Sequence, residues 1–217
     1  MTDALRPRIL HLDGLTPLER AALCARGVID ASAFLERARP IVEAVREEGD
    51  VALVRFAAAF DKVTMTADQI RVAPEDFDAA YGLVPGDVVA AIREAAGNIR
   101  RVHEQQKPPA LDMIEVRPGV LAGDRYVPIG AVACYVPRGK GSFPSVTLMT
   151  AIPALVAGVP RVVVITPPGP DGTCDAGTLV AAREAGVTEV YLAGGAQGVA
   201  AVAYGTETIP HCDKIVG

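Results

Sequence analysis

The chain has 217 residues, 50% of them apolar and 22% charged, a profile that excludes disorder and fibres. Lys and Arg number 21 against 26 Asp and Glu, a net charge of -5, and with no basic stripe to follow a phosphate backbone nucleic acid is not an expected partner. No apolar run reaches the roughly 18 residues of a membrane span, so no membrane association is expected. The opening MTDALRPRIL lacks a signal-peptide core, and Cys24, Cys134, Cys174 and Cys212 have no metal-like spacing, so reduced thiols in the cytoplasm are the expectation. Aromatic residues are 5% and Trp is absent, which leaves Ala, Val, Leu and Ile to build the core, as suits helices packed on a parallel sheet.

In chain order, Phe34, Leu35, Ala38, Ile41, Val42 and Val45 recur at helical spacing, with Pro40 expected to kink or restart the helix. Gly49-Asp50 interrupts it, and a second helix runs from Val51 to near Phe60. Ile70–Val72 is a short strand candidate, and Asp87 is placed to cap a helix from about Val88 to Gln105, ended by Pro108-Pro109. Residues 1–118 hold 19 acidic and 15 basic residues, residues 119–217 only 7 and 6. The first part therefore reads as a mainly helical, solvent-facing piece of an incomplete α/β domain.

The second part alternates between strand and helix. Strands are expected at 131–136, 161–166, 189–192 and 213–216. Between them lie helices from Ser145 (as cap) to Gly158, from Asp175 to Gly186, and from Gly195 to Gly205. Such βαβ units predict a Rossmann-like parallel sheet with flanking helices over 119–217, with right-handed crossovers. The last strand is expected to be cut short, since Lys214-Ile215-Val216-Gly217 carries no cap or tail.

Ligands of open parallel sheets bind beyond the carboxyl ends of the strands, where three segments fall. Tyr135 to Ser145 mixes Gly139 and Gly141 with Arg138 and Lys140 ahead of a helix, a composition for an anion contact or for a plain surface loop. It lacks the order of an ATP-binding P-loop. Gly194-Gly195-Ala196-Gln197-Gly198 joins a strand to a helix. Its Gln197 could read a ribose or an amide, or simply hold a tight turn, and the segment is not G-x-G-x-x-G. Pro167-Pro168-Gly169-Pro170 reads as a stiff turn. No catalytic set or metal site emerges. His11 and His103 stand apart, His211, Cys212 and Asp213 are adjacent and so badly placed to share one ion, and nothing visible tunes Glu207.

From Tyr135 onward the resemblance to a family becomes specific. Tyr135-Val136-Pro137, Gly139-Lys140, Pro144-Ser145, Gly194-Gly195-Ala196-Gln197 and Tyr204-Gly205-Thr206-Glu207-Thr208-Ile209-Pro210 through Asp213-Lys214-Ile215-Val216-Gly217 resemble the histidinol dehydrogenases. Gly49-Asp50-Val51-Ala52-Leu53, Phe60-Asp61 and Ile99, His103 and Gln106 follow the same family's pattern. The resemblance implies about the N-terminal half of an NAD- and zinc-dependent homodimeric enzyme that oxidises L-histidinol through the aldehyde to L-histidine. It implies Tyr135 and Gln197 as NAD contacts, and Gly139, Gly194 and Gly195 are further cofactor-binding candidates, glycine letting the backbone come close to a ligand. It places the zinc ligands and the proton-transfer groups beyond residue 217, so the 217 residues alone are expected to be inactive. Arg138 stands where the biosynthetic enzymes usually carry Gly, and Arg138 with Lys140 is a candidate contact for an anionic substrate. Alternatives are a related dehydrogenase for another polar or sulfonated alcohol, or a non-catalytic binding module. An acyl transferase or hydrolase would need a nucleophile elbow, which the sequence lacks.

Overall fold

The computed structural model describes residues 9–25, 31–139 and 141–217, so Lys140 lies outside the described residues. It divides into two compact units, Met1–Glu36 and Arg37–Gly217. In the first, Thr16 opens helix α1 (Pro17–Cys24) with a capping box. Its hydroxyl accepts from Glu19 N at 3.3 Å, Glu19 Oε2 accepts from Thr16 N at 2.8 Å, and Pro17 takes the first helical position. No side chain of α1 is buried.

Helix α2 (Ser32–Glu48) runs through Pro40 without restarting. One missing N–H is a tolerable loss in a helix whose Val45 is anchored in the core. Gly49, at φ 57, then turns the chain in a way that favours glycine, and α3 (Asp50–Phe56) follows. The expected continuation to Phe60 is a π-helical turn, Ala57–Asp61, closed by Lys62 in the left-handed region. Next come α4 (Pro74–Leu83) and α5 (Gly86–Gln106). Asp87 does not cap α5. Pro85 holds that position without a side-chain bond, and Asp87 sits inside the first turn, where its charge still favours the helix N-terminus.

An antiparallel hairpin then interrupts the helical pattern. Strands β1 (Leu111–Arg117) and β2 (Val120–Arg125) pair from Leu111 opposite Arg125 to Arg117 opposite Val120. The turn is Pro118-Gly119, with Gly119 at φ 75 and its N–H donating to Glu115 Oε1 at 2.8 Å. Every residue of both strands is exposed.

The four strands expected of the second part are present: β3 (Ala131–Tyr135), β4 (Arg161–Thr166), β5 (Val190–Leu192) and β6 (Lys214–Val216). They are parallel and ordered β5-β4-β3-β6. Helices α6 (Pro144–Ala157), α7 (Ala176–Ala185) and α8 (Gly195–Tyr204) connect them. Sheet order reverses after β5, so right-handed crossovers place α6 and α7 on one face and α8 on the other. The packing agrees, with α6 against α5 and α7, and α8 against α3 and β6. Ser145 does not cap α6; Phe143 precedes it without a side-chain bond. Asp175 does cap α7, accepting from Thr178 N at 2.8 Å. The candidate strand at Ile70–Val72 joins this same sheet as an antiparallel edge on β5, with Val72 N donating to Val190 O at 2.9 Å and Leu192 N to Ile70 O at 2.7 Å. Val163, Val164, Ile165, Val180 and Tyr191 are buried between the layers, as a two-sided parallel sheet requires.

Candidate functional site

The site forms at the carboxyl ends of the parallel strands. Tyr135 ends β3, and Gly194 and Gly195 open α8 just after β5. The Gly195 N–H donates to the Tyr135 hydroxyl at 3.2 Å, which ties two strand ends together. Gly194 is buried against Pro167, and a Cβ there would fall 2.9 Å from Pro167 Cβ. Gly195, exposed and at φ 54, carries the left-handed bend that starts the helix. Gln197 is 5% exposed, and its Oε1 lies 2.9 Å from where a Gly195 Cβ would stand, so the amide folds back against the turn.

In front of this turn is a cleft of about 360 Å³ lined by Ala38, Val42, Tyr135, Gly195, Ala196 and Val199. Its walls are α2 on one side and the start of α8 on the other, and its lining is apolar apart from the Tyr135 hydroxyl and backbone. A glycine turn at a helix start beside an apolar slot is chemistry that suits one end of a dinucleotide.

Arg138 and Gly139 are not among the lining residues. Arg138 Nη1 donates to Thr173 O at 2.9 Å, and the guanidinium covers Gly169 so closely that a Cβ there would lie 2.5 Å from Cζ. Asp171 accepts from Thr173 N at 3.1 Å and from Thr173 Oγ1 at 2.8 Å. Those bonds, with a smaller effect of Arg138, hold its carboxyl below the usual range. Ser142 Oγ donates to Asp175 Oδ2 at 2.6 Å. The loop after β3 is thus fastened at two points to the loop after β4. Gly139 is exposed, and a Cβ there would meet nothing within 4 Å.

His211 is exposed, while the Cys212 thiol is buried beside Pro210 O at 3.7 Å. Among the described residues no group of three or more His, Cys, Asp or Glu could hold a metal ion, so zinc does not fit these residues. Glu207 caps from a distance: its Oε2 accepts from Asp50 N at 2.9 Å, and that bond lowers its pKa. Thr208 Oγ1 in turn donates to the buried Asp50 Oδ2. Sequence reasoning missed this cluster, because no periodicity pairs residues more than 150 positions apart.

Taken together, a parallel sheet with a reversed strand order, helices on both faces and a glycine turn at the strand ends define a Rossmann-like α/β protein. The sequence profile of histidinol dehydrogenase matches residues 24–217, and the chain belongs to the histidinol dehydrogenase family. It is 57% identical over 199 residues to a protein of Rhizobium meliloti (strain 1021) called a histidinol dehydrogenase homolog, covering 92% of this chain and 44% of that protein. With the histidinol dehydrogenase of Synechocystis sp. (strain ATCC 27184 / PCC 6803 / Kazusa) it shares 43% over 210 residues, 97% of this chain and 48% of the relative. The crystal structure of histidinol dehydrogenase from Elizabethkingia anophelis superposes with a TM-score of 0.86 at 34% identity, covering 94% of this chain and 46% of that one. The chain therefore spans about half the length of the relatives it matches. No helix among the described residues is long and apolar enough to cross a membrane.

Proposed function

We propose that the full-length protein is a cytoplasmic homodimer that oxidises L-histidinol through the aldehyde to L-histidine, using NAD and zinc, and that this chain supplies part of the NAD site. The observation that carries the reading is the convergence of Tyr135 and the Gly195 N–H over the apolar cleft, in a chain of this family. In this reading Gly194 and Gly195 let the backbone approach the cofactor, Tyr135 contributes a hydroxyl and a ring edge, and Gln197 holds the turn in shape or meets the cofactor amide. Ala38, Val42 and Val199 exclude water from one side of the slot. NAD, when bound, supplies the hydride acceptor. No step through zinc is assigned to these residues.

A second reading is a related dehydrogenase for another polar or sulfonated alcohol. It is favoured by the higher identity to the Rhizobium protein called a homolog than to the Synechocystis histidinol dehydrogenase. Both readings are tested by following NADH formation from L-histidinol, and from sulfonated and carboxylated alcohols, with the full-length protein, NAD and zinc. Histidinol turnover supports the first reading and selective turnover of an anionic alcohol the second. Absence of NADH from every alcohol contradicts both.

A further inference from the structure

The two walls of the cleft meet at a polar corner. Helix α2 brings Ala38 and Val42 to the cleft, and α8 brings Gly195, Ala196 and Val199. Where α2 turns into α3 it meets the loop that leaves α8 for β6. The Arg46 guanidinium lies 5.5 Å from the Tyr204 ring centroid. Glu207 Oε2 accepts from Asp50 N at 2.9 Å, and Thr208 Oγ1 donates to Asp50 Oδ2. Gly49, whose φ of 57 favours glycine, leaves room for this carboxylate, since a Cβ there would stand 2.8 Å from Glu207 Oε1.

The loop is held by its own hydrogen bonds, and Asp50 by burial. Within the loop, Thr206 N donates to Ile209 O at 2.8 Å, Ile209 N to Thr206 Oγ1 at 3.0 Å, and Cys212 N to Val202 O at 2.7 Å, while Ile209 is fully buried. On the other side Asp50 is 5% exposed, and its Oδ1 is buried without a hydrogen-bond partner among the described residues. A half-satisfied buried carboxylate next to a left-handed glycine lowers stability, and an apolar contact would fasten the two elements at less cost. What the polar pair adds is direction: two bonds of fixed geometry tie the corner between α2 and α3 to the loop after α8.

We propose that Glu207 and Asp50 are positioning residues which, with Thr208, set the width of the cleft and thereby the affinity for NAD. The proposal rests on the dinucleotide reading above. The test is calorimetric titration of the full-length protein with NAD, beside thermal unfolding of each variant. Glu207→Ala and Thr208→Val should each raise the NAD Kd by roughly tenfold through loss of preorganisation. Glu207→Gln keeps an acceptor for Asp50 N–H, and Thr208→Ser keeps the hydroxyl, so both should stay within about threefold of the unaltered chain. Arg183→Ala, which breaks the ion pair with Asp78 away from the cleft, controls for lost stability and should leave the Kd unchanged. If Glu207→Ala does not fold, the contrast between Thr208→Val and Thr208→Ser decides. The proposal is overturned if Thr208→Val and the Glu207 variants all bind NAD within twofold of the unaltered chain, or if Arg183→Ala weakens binding as much as they do. Failure of the unaltered full-length protein to bind NAD overturns the dinucleotide reading itself, and this proposal with it.

Discussion

Arg138 offers a sharp test because its contacts are few and one of them is a glycine. Its guanidinium donates to Thr173 O at 2.9 Å and covers Gly169, which is buried. A hydrogen bond from a charged donor is generally worth about 1.5–3 kcal/mol. Arg138 is half-buried, and solvent screening reduces that to about 1 kcal/mol for Arg138→Ala. In a folded unit of this size the loss corresponds to about 2–4 °C in Tm. Gly169→Ala should cost nearly the same by a different route. The new Cβ would occupy the space of Arg138 Cζ, at 2.5 Å, and the flexible guanidinium would leave its carbonyl. The two losses are then one loss counted twice. In a double-mutant cycle by urea denaturation, Gly169→Ala should be close to neutral in the Arg138→Ala background, with a coupling of about 1 kcal/mol. Additivity within about 0.3 kcal/mol would refute the reasoning and return Arg138 to the status of a free cation available to a ligand.

Gly194→Ala should be more damaging, because its Cβ would press on the Pro167 ring, 2.9 Å from Pro167 Cβ, and a proline ring cannot swing away. Overpacking of this kind costs about 1–3 kcal/mol, read as a lowered urea midpoint; an unchanged midpoint would show that the turn relaxes freely. Burial pushes the Cys174 thiol up to about 12, helped by the Asp175 charge, and pushes Cys134 and Cys212 up to about 11, whereas Cys24 is exposed. A thiol reagent at pH 8 should therefore modify one cysteine rapidly in the native chain and all four only after denaturation; two or more fast thiols would contradict this. The Arg161 guanidinium, followed by the Tyr191 hydroxyl, holds Glu189 below its ordinary 4.5. Its contribution is thus complete above that value and fades as pH falls through the lowered one. Glu189→Gln should flatten the acid limb of a stability profile below about pH 4.5, and an unaltered limb would show that the pair does not stabilise the fold.

Where burial imposed a period, the fold was legible. The apolar run Arg161–Thr166 could only be a sheet strand, and Gly194-Gly195 and Gly205 bracket α8 where glycine bends are needed. The hairpin was not legible, because both its strands face water. Apolar residues at 111, 113, 114 and 116 break a period of two, leaving only the Pro118-Gly119 turn as a signal. Asp87 and Ser145 have the chemistry of caps but stand one position or more inside their helices, and sequence alone does not fix a first turn so finely. In the candidate site the Gly194–Gln197 turn could be located from its place after a strand. Its bond to Tyr135 spans 60 residues, and the Asp50 cluster spans about 158, so only the folded chain brings those partners together.

On the reading proposed above, the turn joining β5 to α8, with Tyr135 beside it, is a dinucleotide site. The decisive experiment is an amide-resolved NMR titration of the isotopically labelled full-length protein with NAD. Saturable shifts are expected at Tyr135, Gly194, Gly195, Ala196 and Gln197, with the amides of the hairpin at 111–125 unmoved. Saturable binding that shifts other regions and leaves this turn untouched, or no binding at millimolar NAD, would contradict it.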